Sequence, residues 1–76
     1  MKKQDRILPG MSEELLLAAF YERPVTVDDQ KWRVISWQRK SYGNRFELLH
    51  SDAHDHMIIE TNFSSDRVTT YTIERS

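Results

Sequence analysis

Three histidines and two aspartates fall in one short stretch, His50-Ser51-Asp52-Ala53-His54-Asp55-His56. Imidazole and carboxylate both ligate zinc or nickel. Read as a hairpin loop, the stretch sets His50 and His56 at facing strand ends, with Asp52 and His54 at the tip. The spacing matches no defined metal signature, and a solvated polar loop accounts for the same residues. Clustered imidazoles also titrate near neutrality, which would make a pH-sensing loop. His50, His54 and His56 are the candidate metal ligands, and no cofactor is expected.

A second group interleaves cations with rings: Trp32, Arg33, Trp37, Gln38, Arg39, Lys40, Tyr42, Arg45 and Phe46. Surfaces of this composition bind single-stranded nucleic acid, with cations on phosphates and bases stacked on rings. Trp, Tyr and Arg are also the commonest anchors of protein interfaces. The competing explanation is structural: Trp32 in the core, Trp37 over a barrel end, and the cations as a solvated rim.

Other chemistry is excluded or unsupported. The two glycines, Gly10 and Gly43, permit no phosphate loop or dinucleotide fingerprint. With no cysteine there are no disulfides, thiolate metal sites or cysteine nucleophiles. No nucleophile elbow is present. The adjacent carboxylates Glu13/Glu14 and Asp28/Asp29 are explained by a helix first turn and a hairpin turn. The chain is therefore read as non-enzymatic.

Charge is ordered along the sequence. Every charged side chain from Lys31 to Arg45 is basic, and, histidines aside, every one from Glu47 to Asp66 is acidic. The net charge of -1 conceals this. Local potential, not the total, selects partners. Opposed blocks steer a complementary protein, and they permit self-association of one copy's basic edge with another's acidic edge. A pI of about 6.3 weighs against nucleic acid.

These residues must be held by a small domain. Seventy-six residues make one domain with a small core. Residues 1–10 read as a flexible lead ending in the turn signal Pro9-Gly10, and 11–76 as a single folded unit. Ser12 to Glu22 reads as the helix, with Ser12 as N-cap and Leu15, Leu16, Ala19 and Phe20 as its apolar face. Pro24 stops it. Five strands follow, at 24–27, 31–39, 45–50, 56–63 and 67–74. Turns fall at 28–30, 41–44 and 64–66, with Gly43 or Asn44 available for positive φ. In the second strand Trp32 and Val34 take one face and Ile35 and Trp37 the other, which calls for burial on both faces or a bulge. The last strand is rich in Thr and reads as an open edge able to take an added strand.

The longest apolar run, Leu15 to Tyr21, is far short of the ~20 residues a membrane-spanning helix needs. No apolar segment follows Lys2-Lys3 as in a secretion signal. The chain is read as soluble and cytoplasmic, without membrane contact.

The order helix, short strand, long bent strand and three further strands resembles the layout of SH3-like and Sm-like small barrels over residues 12–75. In Sm-like proteins a leading helix precedes a five-stranded barrel that often forms rings on RNA. No signature motif of that family is matched, so no binding residue is carried over. The expected fold is α+β: one N-terminal helix packed on a bent five-stranded antiparallel sheet of SH3-like, small-barrel architecture. Its expected core is Leu16, Ala19, Phe20, Val25, Val27, Trp32, Val34, Phe46, Leu48, Met57, Ile59, Val68 and Ile73. The expected function is a small protein-binding module, an adaptor or modulator, docking through the hairpin at 31–46. Arg33, Trp37, Arg39, Lys40, Tyr42 and Arg45 would make the contact. The alternative is single-stranded RNA or DNA on the same hairpin.

Overall fold

A computed structural model describes residues 2–50, 52 and 55–73. Its elements in chain order are β1 (Lys2–Ile7), α1 (Met11–Tyr21), β2 (Pro24–Val27), β3 (Gln30–Arg39), β4 (Gly43–His50), β5 (His56–Asn62) and β6 (Arg67–Ile73). All six strands form one antiparallel sheet in the order β1-β6-β5-β4-β3-β2. The sheet curls into a half-barrel, giving a small mixed α+β barrel-like fold. Among the described residues no helix is long and apolar enough to cross a membrane.

The sheet has six strands, not five, because the segment expected as a lead is itself a strand. Lys2 to Ile7 pairs with Thr72 to Arg67. Its alternation is hidden from the sequence by its polarity: only Ile7 is apolar, and that side chain is exposed. β6 is consequently not the open edge expected of it. The edges are β1 and β2.

β1 and β2 lie at opposite edges, so the link between them must cross the sheet. That link contains α1, which packs against β2, β3 and β5. Pro9-Gly10 starts it: the Leu8 carbonyl accepts from the Met11 N–H at 3.1 Å, and Gly10 has φ 77° and ψ −2°. This is a type II turn, with Pro and Gly at the positions that favour each. Gly10, not Ser12, is therefore the residue that precedes the helix. Ser12 lies inside it, and its hydroxyl meets Thr61 Oγ1 at 3.4 Å.

The buried face of α1 is Met11, Leu15 and Ala18, one step round from the face expected. Leu16 packs only partly against the core, and Phe20 is 64% exposed. Leu15 to Phe20 is apolar at every position, so spacing alone leaves the helix phase undetermined. The sheet contributes what alternation promises: Val25, Val27, Trp32, Phe46, Leu48, Met57, Ile59 and Val68 are buried, with Val34 partly so. The side chain of Ile73 is outside the described part.

An ion pair joins opposite edges of the half-barrel. Arg6 Nη1 donates to Asp28 Oδ2 at 2.8 Å, and Nη2 donates to the other carboxylate oxygen. The guanidinium bond holds the Asp28 carboxyl below its ordinary value of 3.8. Asp28 and Asp29 both have positive φ (52° and 64°), forming a two-residue turn between Val27 and Gln30. Hairpins with this twist demand that geometry, and Asp tolerates it.

Candidate interaction site

The long strand β3 changes character halfway. Trp32 and Val34 stand opposite His50 and Leu48, but Ser36, not Ile35, stands opposite Glu47. Ile35 is the extra residue of a β-bulge, one of the two arrangements the sequence called for. Beyond it the ladder resumes, with Trp37 opposite Phe46 and Arg39 opposite Asn44. Phe46 is wholly buried on the concave side. Trp37 and Arg39 therefore share the concave side, at its rim, instead of facing away from Trp32.

Around Trp37 the sheet and the helix end build an aromatic rim. Phe20 meets the indole edge to face, ring centroids 5.4 Å apart. Trp37 Nε1 donates to Asn44 Oδ1 at 3.1 Å, and Asn44 is buried. Beside them the Arg39 guanidinium lies 5.1 Å from the centre of the Phe63 ring. Trp37 keeps 39% of its surface exposed and Phe63 55%. This ordering of half-exposed rings costs little entropy, because an aromatic side chain has few rotatable bonds.

Gly43 positions the rim from below. A Cβ there would lie 1.7 Å from the Thr61 carbonyl oxygen, so β4 and β5 approach at Gly43 as no other residue allows. Neither Gly43 nor Asn44 has positive φ, contrary to the turn expected. Close approach is what requires glycine here.

The six expected contact residues do not share one surface. Trp37 and Arg39 stand on the concave rim. Arg33 pairs with Leu49 and Arg45 with Glu60, and both side chains point to the convex face. The Tyr42 hydroxyl donates to Glu60, which pushes the phenol above its ordinary value. Lys40 begins the turn, its N–H bonded to the Gly43 carbonyl at 2.8 Å.

The sheet also interleaves the two charge blocks that the sequence keeps apart. Arg45 is brought opposite Glu60. Glu47 lies between Ser36 and Ile58 and meets His56 Nδ1 at 3.1 Å. Antiparallel pairing of consecutive strands makes such mixing unavoidable where the sign changes at a turn or mid-strand. What escapes it is smaller than the basic block: Arg33, Arg39 and Lys40, none in an ion pair among the described residues.

The histidines are divided. His50 is opposite Trp32 on the concave side and meets that indole edge to face at 4.8 Å. His56 is opposite Leu49 on the convex side. They do not face each other, because strand side chains alternate and the ladder places them an odd step apart. His54 lies outside the described residues. Among those described, no three acidic, histidine or cysteine side chains gather as a metal site.

Sequence reasoning missed Phe20, which it assigned to the core, and Phe63, which it assigned to a strand end. Only the helix phase, which α1 hides, would have revealed Phe20. No protein-family model, curated protein or solved structure matches this chain.

Proposed function

We propose that the chain is a small non-catalytic protein-binding module that docks through the end of the β3–β4 hairpin. The observation that carries this reading is the rim itself: Trp37, Phe20 and Phe63 partly exposed, with Arg39 laid on a ring and Lys40 at the adjoining turn, neither cation in an ion pair among the described residues. Interface anchors are residues of these types, held rigid before binding. The contact set narrows to Trp37, Arg39 and Lys40 with Phe20 and Phe63. Arg33 flanks it, and Arg45 and Tyr42 belong to the Glu60 cluster on the other face. The small-barrel fold would act as an SH3-like scaffold, in which α1 to β6 provide the barrel and β1 an added strand.

The double variant Trp37→Ala/Arg39→Glu is expected to lose capture of the native partner with an unchanged far-UV circular dichroism spectrum. Loss of the spectrum would make these side chains structural and overturn the reading. The same rim also has the make-up of a base-stacking platform, Arg39 on Phe63 beside Trp37. Titration with labelled single-stranded RNA and DNA separates the two. Binding with a steep salt slope would transfer the assignment to nucleic acid.

A further inference from the structure

β3 has two neighbours for only part of its length. The β2 ladder ends at Pro24, opposite Arg33. From Val34 to Arg39 only β4 lies alongside. The chain before β2 does not extend the ladder: Glu22 is left-handed, with φ 53°, and the Arg23 N–H closes on the Ala18 carbonyl at 3.2 Å. Among the described residues no backbone hydrogen bond reaches the outward edge of this overhang.

A bare strand edge offers N–H and C=O groups in the spacing that another strand fills. The other edges are protected. β1 carries Lys3, Gln4, Asp5 and Arg6 along its length, and β2 is four residues long and opens with proline. On the overhang the devices are the bulge at Ile35 and the single charge of Arg39. After it, Ser36 to Arg39 run in unbroken register with β4. Between this edge and the end of α1 lies an open depression of about 360 Å³, lined in part by Ala19, Phe20, Val34, Ile35 and Trp37.

We propose that this edge receives an extended, acidic segment of a partner protein, added as a strand beside Ser36–Arg39 with an apolar side chain seated in the depression. The proposal rests on the reading of the hairpin end as a docking site and names how the partner binds there. Charge selects the occupant. Arg23 and Arg33 line the adjoining depression at one end, and Arg39 and Lys40 stand at the other. Glu22 is the carboxylate between them. A second copy of this chain is a poor occupant: it would bring its own Arg39 and Lys40 to an edge already flanked by Arg23, Arg33, Arg39 and Lys40, and gathered like charges oppose pairing. Single-stranded nucleic acid answers the cations but has no amide ladder for the edge.

The test uses the whole protein, isotopically labelled for amide exchange, and an array of short blocked peptides alternating Glu or Asp with Val, Ile or Phe. Each peptide stands beside its Lys-for-acid counterpart. Acidic peptides are expected to bind and their Lys counterparts not. Bound peptide should slow exchange of outward amides within Ser36–Arg39 about tenfold or more, as expected where a strand edge becomes paired. N-methylation of alternate peptide amides should weaken binding about tenfold or more, since several main-chain bonds are lost. The pair Arg33→Glu/Arg39→Glu should move the preference to the Lys peptides. Binding that neither slows these amides nor responds to N-methylation overturns strand addition while leaving hairpin docking intact. No acidic peptide binding up to millimolar concentration overturns the proposal, even if the native partner is still captured in a Trp37-dependent manner. Protection of the same amides by single-stranded RNA instead of peptide also overturns it.

Discussion

Trp32 and Trp37 are carried by one strand on one side of one sheet, and their surroundings are opposite. Trp32 lies between two strands, opposite Val25 and His50, and is 3% exposed. Trp37 has a strand on one side only and is 39% exposed. The polar atoms reverse this order. The exposed indole donates to Asn44, while Trp32 Nε1 has no hydrogen-bond partner among the described residues. Burying a tryptophan removes roughly 200 Å² from water, worth about 5 kcal/mol at ~25 cal/mol per Å². An unpaired buried donor costs about 1–3 kcal/mol. Burial wins at Trp32, so the core tolerates the loose N–H. At Trp37 the gain is smaller, and the hydrogen bond fixes the ring's orientation instead. Neighbour count along the strand, not residue type, separates core from rim.

The sharpest way to break this comparison is to truncate both rings. Trp32→Ala is expected to cost about 3–5 kcal/mol, a large part of the stability of a domain this size. Trp37→Ala should cost under about 1.5 kcal/mol, because its ring is only partly buried. Urea unfolding of both variants measures the gap, and equal losses would remove the distinction. Gly43→Ala tests the support of the rim from the β5 side. The added methyl must displace backbone, so a loss of about 3 kcal/mol is expected by the same measurement. A loss near zero would mean that β4 and β5 separate there freely.

The smallest effect concerns the brace at the start of the buried half of β3. Asp28→Asn keeps a residue suited to positive φ and removes the charge paired with Arg6. The pair is largely solvent-facing, so the cost at neutral pH should stay below about 1 kcal/mol. The Asp28 carboxyl has a lowered pKa when folded, so its contribution is present above the ordinary value of 3.8 and fades as pH falls below it. Wild type and Asp28→Asn should therefore converge in stability toward acid, and a gap that persists there would assign the effect to the turn.

Much of this architecture was legible because strands with one buried face alternate. Phe46, Leu48, Met57 and Ile59 gave the concave side directly, and the broken alternation from Trp32 to Trp37 called for burial on both faces or a bulge, of which the bulge is found, at Ile35. Three things were not legible. β1 is a strand by virtue of its partner, and its polar side chains carry no strand signal of their own. α1 is apolar over so many consecutive positions that its phase is set by the sheet beneath it. The charge blocks were clear as sequence, but a ladder places a residue beside one from another part of the chain, and Arg45 came to rest opposite Glu60. Of the expected contact residues, Trp37 and Arg39 stand together on the rim. Arg33 and Arg45 do not join them, because one residue of offset in a strand reverses the face.

The seam between β1 and β6 carries an expectation for the order of assembly. β2 through β6 can zip up hairpin by hairpin, each closure spanning only a few residues. β1 can join only across the entire intervening chain, from Lys2 to Thr72, after its partner is in place. Contacts of such long sequence separation are slow to form, and their loop-closure cost precedes any reward. The topology thus predicts that β1 locks last in folding.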